Sequence, residues 1–222
     1  MNLEKLRNFD FECAIFDLDG TLLNSTGIWA EIDERFLEKR NIKPTREFLE
    51  VIKTHNFKTG SEFTVKHFNL PERPEDVADE WYRMALKSYA EEIVLKPYAK
   101  EYLKELKLRG IKLSVATSSD RSLYESCLIR NGVYDLFDNF TQTDEVYRGK
   151  GFPDVYIKAA QKSHAGISGC VVYEDILRGV EGAKNGGFFT VAVEDEASLC
   201  DKDNIINIAD IYIDNYKKLI SL

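Results

Sequence analysis

The chain has 222 residues, 44% hydrophobic and 31% charged, a composition that suits one sizeable domain, or one domain with an insertion, and excludes a disordered chain. Its net charge of −8, with acidic residues spread along the sequence, argues against nonspecific binding to nucleic acid or an anionic membrane, because both favour a basic face. No stretch approaches the roughly 18 apolar residues of a membrane span, and Met1 to Glu12 alternates charge with single apolar residues instead of forming an apolar leader.

Short apolar runs then recur along the chain, and each reads as a strand buried on both faces. They are Cys13–Phe16, Leu113–Ala116, Cys170–Tyr173, Phe188–Val193 and Ile211–Ile213, with Phe140–Gln142 a weaker candidate. Amphipathic helices are expected between them. Tyr102, Leu103 and Leu106 share a face ahead of Gly110, a C-cap glycine, and Leu123, Cys127 and Leu128 do the same ahead of Asn131-Gly132. Val155, Ile157, Ala160 and Gln161 follow Pro153-Asp154, a helix start. Alternating strands and helices predict an α/β fold, a Rossmann-like doubly wound parallel sheet with helices on both faces.

The stretch from about Ser25 to Ile93 breaks this alternation and carries only helical patterning. Ile28, Ile32 and Phe36 recur at helical spacing; Val77, Trp81, Ala85 and Tyr89 do so after Pro74. An all-helical insertion over 25–95 is therefore expected within a core of 1–24 and 96–222. Trp29, Trp81 and Tyr82 read as its core, and His55, His67 and His164 as structural or surface residues without ligand spacing. Cys13, Cys127, Cys170 and Cys200 lie far apart with no metal or redox spacing, and are expected to be buried structural residues of a reducing cytoplasm. A monomer is the default expectation.

Chemistry concentrates directly after three strands: Asp17-Leu18-Asp19-Gly20-Thr21 after the first, Thr117-Ser118-Ser119-Asp120 after the second and Glu174-Asp175 after the Cys170 strand. Parallel sheets bind ligands outside the carboxyl ends of their strands. If these strands are neighbours, four carboxylates converge. Two unit charges about 4 Å apart repel by about 4 kcal/mol even at an effective dielectric near 20. A divalent cation relieves that repulsion, and oxygen-only ligands select Mg²⁺. A carboxylate such as Asp17 can act as a covalent nucleophile toward phosphorus, and a second one, Asp19, can serve as acid and base. Gly20 is expected to allow a close turn that returns Asp19 toward Asp17, and Asp120 to cap the next helix.

These residues resemble the haloacid dehalogenase superfamily over essentially the whole chain. Asp17-Leu18-Asp19-Gly20-Thr21 is similar to its first signature, Thr117 to the second, Lys150 to the third and Glu174-Asp175 to the fourth, and the Ser25–Ile93 insertion resembles its helical cap. The resemblance implies a Mg²⁺-dependent phosphatase acting on a small phosphorylated metabolite, with sugar, polyol and nucleotide phosphates as candidates. It implies Asp17 as nucleophile and metal ligand, and Asp19 as acid–base with its backbone carbonyl on the metal. Thr117 and the Ser118 amide would hold phosphate, Lys150 would bridge nucleophile and phosphate, and Glu174 and Asp175 would complete the metal site. Many relatives carry a proline after the third-signature lysine; here Gly151 follows Lys150, and Arg148 is the alternative cation. Within His55–Gly60, a segment joining two cap helices, Lys58 and Thr59 are candidates for contact with the leaving group.

Three rival readings follow. A β-phosphoglucomutase-type mutase would use a cap-hinge histidine and a cap arginine, but Trp29 stands at the hinge position and His55–Gly60 has no arginine. A 2-haloacid dehalogenase needs neither Asp19 nor the Glu174-Asp175 pair. A non-catalytic binding module would be expected to have lost its acids.

Overall fold

The computed structural model describes residues 3–52, 55 and 57–220; Met1 and Asn2 of the amino-terminal stretch and Asn56 of the His55–Gly60 segment lie outside them. The chain forms two compact units, Met1–Thr26 with Ile93–Leu222, and Gly27–Glu92.

The first unit contains, in chain order, α1 (Glu4–Arg7), β1 (Cys13–Phe16), and, after the second unit's residues, helices and strands in alternation. The second unit holds α2 (Ile28–Glu38), α3 (Arg46–Ile52), α4 (Phe57–Phe68) and α5 (Pro74–Glu91), with no strand among its described residues. Returning to the first unit, α6 (Ala99–Leu108), β2 (Lys112–Thr117), α7 (Arg121–Arg130), β3 (Asn139–Gln142), α8 (Asp154–Lys162) and β4 (Cys170–Glu174) follow. The chain then completes the sheet with α9 (Leu177–Asn185), β5 (Phe189–Val193), α10 (Lys202–Ile208) and β6 (Ile211–Ile213).

The strands pair in parallel in the order β3-β2-β1-β4-β5-β6. This is the doubly wound order, whose chain direction of winding reverses between β1 and β4 and leaves a crevice there. All six expected strands form, each within a residue or so of its expected bounds, and Asn139–Gln142, the weakest in sequence, is an edge strand. A strand with one open side needs less apolar sequence.

Alternation along each strand sorts the core into two faces. Cys13 and Ile15 of β1 and Cys170 and Val172 of β4 pack with Val155, Tyr156, Ala159 and Ala160 of α8 and with Ala183 and Phe188. On the opposite face Phe16 stacks on Tyr173 at 4.2 Å, and Tyr102 of α6 joins Tyr173 through their hydroxyls, 2.5 Å apart. Gly110 ends α6 with a positive φ of 79°, and the Ile111 and Gly110 amides donate to Leu106 and Lys107 carbonyls. This is the left-handed helix stop read from the sequence.

In the second unit Ile28, Ile32 and Phe36 of α2 and Val77, Trp81, Ala85 and Tyr89 of α5 are buried as their spacing predicts. Phe36 meets Trp81 edge-on at 5.6 Å.

Three expectations are corrected. Gln161 is exposed, because one face of α8 buries Val155, Tyr156, Ala159 and Ala160 and the next residue, Gln161, turns outward. Trp29 is 37% exposed: α2 turns Ile28 and Ile32 inward, and Trp29 falls beside that stripe. Cys200 is exposed, on a short 3₁₀ segment beyond β5, whereas Cys13, Cys127 and Cys170 are buried.

Candidate active site

The site begins with strand register. Phe16 lies opposite Tyr173, and the Asp17 amide donates to the Tyr173 carbonyl at 3.0 Å. Asp17 thus continues β1 on the face of Cys13 and Ile15, and Glu174 ends β4 on the face of Cys170 and Val172. Two adjacent parallel strands therefore present two carboxylates side by side. Asp175, the next residue, completes a buried trio with ligand oxygens within 4.8 Å of one another.

Lys150 enters this trio as an ammonium between Asp17 and Glu174; it pairs with Asp17 Oδ1 and lies 2.6 Å from Glu174 Oε1. Its backbone is fixed by a tight turn, in which the Phe152 amide donates to the Gly149 carbonyl at 3.0 Å. That turn rests on α9. A Cβ on Gly182 would lie 2.9 Å from the Phe152 carbonyl oxygen, and one on Gly186 would lie 2.7 Å from Pro153 Cβ. Arg148, the alternative cation, is instead paired with Asp154 at 2.8 Å and stacked over Phe152 at 4.5 Å.

Burial sets the electrostatics. Asp17 is 4% exposed, Asp175 1% and Glu174 fully buried. Loss of water pushes the Asp17 carboxyl well above its ordinary value; Lys150 opposes this, and Glu174, Asp175 and Asp19 add to it. Asp175 is pushed up to about 7, by burial first and then by Glu174. Burial pulls the Lys150 ammonium down, but Asp17 and Glu174 more than reverse this and hold it protonated. Three carboxylates face one ammonium.

The residues fit a hard divalent cation. Glu174 Oε2 and Asp175 Oδ2 are buried without a hydrogen-bond partner among the described residues. An unsatisfied buried carboxylate oxygen is costly, and the donors here are all oxygen, the set that suits Mg²⁺. Two glycines make the space: a Cβ on Gly20 would strike Asp175 Oδ2, and one on Gly179 would strike the Glu174 carboxylate. Gly20 also has φ of 83°. It sits in a tight turn, its amide donating to the Leu23 carbonyl at 3.0 Å, and the lack of a side chain also admits Asp175.

Asp19 acts on Asp17 electrostatically but lies outside the set of oxygens within 4.8 Å of one another. Its carboxylate accepts hydrogen bonds from Ser25 Oγ at 2.6 Å and from Ser119 Oγ, so three rather than four carboxylates cluster. The carboxylates that could hold an ion together are those of Asp17, Glu174 and Asp175. Thr117 ends β2, 1% exposed, and accepts from the Ser119 amide at 3.0 Å; Ser118 is exposed beside it. Asp120 caps α7 through the Ser122 amide at 2.8 Å, as expected. Lys58 and Thr59 are exposed on the first turn of α4 in the second unit.

Sequence reasoning missed several partners. Tyr156 donates to Glu174 Oε1 at 2.8 Å and is buried among α8's apolar residues. Thr21, noticed only as a motif letter, donates to Asp175 Oδ1 at 2.7 Å. The spacing of Gly179, Gly182 and Gly186 along one helix, each admitting a neighbour too close for a Cβ, was the one local signal available.

A buried acidic trio with its own lysine stands at the switch point of a doubly wound sheet, where α/β proteins bind their ligands. The family model of haloacid dehalogenase-like hydrolases matches residues 14–193, and the chain belongs to that family. It is 28% identical over 183 residues to the bifunctional riboflavin kinase/FMN phosphatase of Arabidopsis thaliana, covering 82% of this chain and 48% of that protein. The chain thus spans about half the length of that relative. It is 26% identical over 176 residues to a phosphorylated carbohydrates phosphatase of Thermotoga maritima, covering 79% of this chain and 82% of the other. A crystal structure from Thermotoga maritima assigned as a β-phosphoglucomutase superposes with a TM-score of 0.82 at 25% identity, covering 91% of this chain and 94% of that one. The first two relatives both carry phosphatase in their names. No helix among the described residues is long and apolar enough to cross a membrane.

Proposed function

We propose that the chain is a Mg²⁺-dependent phosphatase of a small phosphorylated metabolite, a sugar or polyol phosphate, working through an aspartyl-phosphate on Asp17. The observation that carries this reading is the Lys150 ammonium held between Asp17 and Glu174, with one oxygen each of Glu174 and Asp175 left unpaired.

In this reading an Asp17 oxygen attacks phosphorus while the bond from phosphorus to the substrate oxygen breaks. Asp19 gives that oxygen a proton, and the alcohol leaves. Water then attacks the aspartyl-phosphate, Asp19 takes its proton back, and phosphate and the free Asp17 carboxylate are released. Lys150 offsets charge on nucleophile and phosphate, and Thr117 with the Ser118 amide holds phosphate oxygens. Asp17, Glu174, Asp175 and the Asp19 carbonyl would hold Mg²⁺, which, when bound, neutralises charge on the transferring phosphoryl group. Thr21 and Tyr156 orient the Asp175 and Glu174 carboxylates. Lys58 and Thr59 are proposed contacts for the leaving group.

The carbohydrate phosphatase among the relatives supports the substrate class. We take the protein to act as a monomer in a reducing cytoplasm, without nucleic-acid or membrane partners; its free cysteines are compatible with that compartment.

The test is phosphate release from p-nitrophenyl phosphate and a panel of sugar and polyol phosphates, with Mg²⁺ or with EDTA. Mg²⁺-dependent release is expected. Halide release from 2-haloacids, or interconversion of sugar monophosphates without net phosphate, would replace this reading with a dehalogenase or a mutase. No turnover at all would leave a binding module.

A further inference from the structure

Asp19 is held from two sides by hydroxyls from distant parts of the chain. Ser25 donates to Oδ1 at 2.6 Å, and Ser119 donates to Oδ2. A carboxylate gripped at both oxygens has its plane fixed. Ser119 is itself fixed by backbone contacts: its amide donates to Thr117 Oγ1 at 3.0 Å, and its carbonyl accepts from Gln142 Nε2 at 3.1 Å. Gln142 ends β3 opposite Thr117 in register, and its amide donates to Glu145 at 3.0 Å. The chain of contacts therefore runs from the sheet edge, through Gln142 and Ser119, to Asp19.

We propose that Ser119 is a positioning residue for Asp19, braced by Gln142, and that it directs proton delivery to the leaving group. This inference rests on the phosphatase reading and adds to it a determinant of which leaving groups the enzyme can expel. A carboxylic acid helps an oxygen to leave only when its O–H is aimed at that oxygen in the transition state. The p-nitrophenolate anion leaves readily without a proton, whereas phenolate and alkoxides depend on one. Loss of aim therefore costs most with the poorest leaving group. A residue that merely maintained the fold or held phosphate would affect all leaving groups alike.

The experiment measures kcat/KM, which reports steps up to leaving-group departure, for a series of aryl phosphates from p-nitrophenyl through phenyl to p-methoxyphenyl phosphate, with Mg²⁺. In Ser119→Ala, phenyl and p-methoxyphenyl phosphate should lose about 10- to 100-fold, a part of the usual general-acid contribution, and p-nitrophenyl phosphate less than about threefold. Ser119→Thr, which keeps the hydroxyl, should recover most of the loss. Gln142→Ala should show the same pattern more weakly, and it carries the test if Ser119→Ala does not fold. Equal loss across the series, or no loss, overturns the inference. Wild-type protein inactive on every member would overturn the phosphatase reading instead.

Discussion

Two buried charge clusters sit at the carboxyl ends of neighbouring strands, and they are built on opposite principles. After β5, Asp195 pairs with Lys96 at 2.9 Å and accepts from Thr26 Oγ1 at 2.8 Å and the Ala197 amide at 3.0 Å, while Lys96 also donates to the Glu194 carbonyl at 2.5 Å. One acid meets one base, and every acceptor oxygen of Asp195 is used. After β1 and β4, three acids meet one lysine, and two carboxylate oxygens have no partner among the described residues. Burial alone does not mark function; burial with unbalanced charge does. The balanced pair ties down Thr26 and Lys96, where the core unit's chain breaks off and resumes. The unbalanced trio is what the proposed cation would complete.

Substitutions should therefore act with opposite signs in the two places. Asp17→Asn should lower phosphate release by about 10⁴-fold or more, the scale of losing a covalent nucleophile. In the absence of metal it should raise the melting temperature, because it removes a carboxyl whose ionised form is disfavoured by burial first and then by Glu174, Asp175 and Asp19. A metal-free Asp17→Asn protein melting below wild type would show that the trio is not under repulsive strain.

Asp195→Ala should do the reverse, destabilising by about 3 kcal/mol in denaturant titration, because Lys96, its side chain only 11% exposed, is left without its counter-charge. An effect no larger than that of a surface substitution would remove the contrast between the clusters.

Mg²⁺ should stabilise the wild type by about 2.7 kcal/mol at one hundred times its dissociation constant, and Asp175→Asn should abolish that gain. The sign with pH follows from Asp175, raised from 3.8 to about 7. The folded, metal-free protein holds a proton there that the unfolded chain has released, so its stability falls as pH rises from about 4 through about 7. Mg²⁺ must displace that proton, so its stabilising effect should be larger at pH 8 than at pH 6. Thermal melts across pH with Mg²⁺ or EDTA check both slopes.

The smallest effects belong to the glycines that make room for the trio. Gly179→Ala crowds the Glu174 carboxylate and should cost about 1–3 kcal/mol and weaken Mg²⁺ binding. Gly166→Ala, with open space where its Cβ would go, should be near neutral. Comparable losses at both positions would mean that Gly179 is not required for its proximity to Glu174.

Much of this molecule was legible in its sequence. The apolar runs gave the strands because burial on both faces demands continuous apolar residues, and Gly110 and Asp120 stand where helix ends need them. Asp17, Asp19, Thr117, Glu174 and Asp175 could be singled out because a turn at a strand's carboxyl end is local, and Lys150 through the family resemblance. Tertiary structure alone decided that β1 lies between β2 and β4, strands that follow it only after the whole second unit. That neighbourhood sets Asp17 against Glu174, aims Tyr156 at Glu174 and turns Asp19 toward Ser25 and Ser119. Periodicity records which side of an element is buried. Which other element covers that side depends on pairings across the whole chain, and no local spacing carries that information.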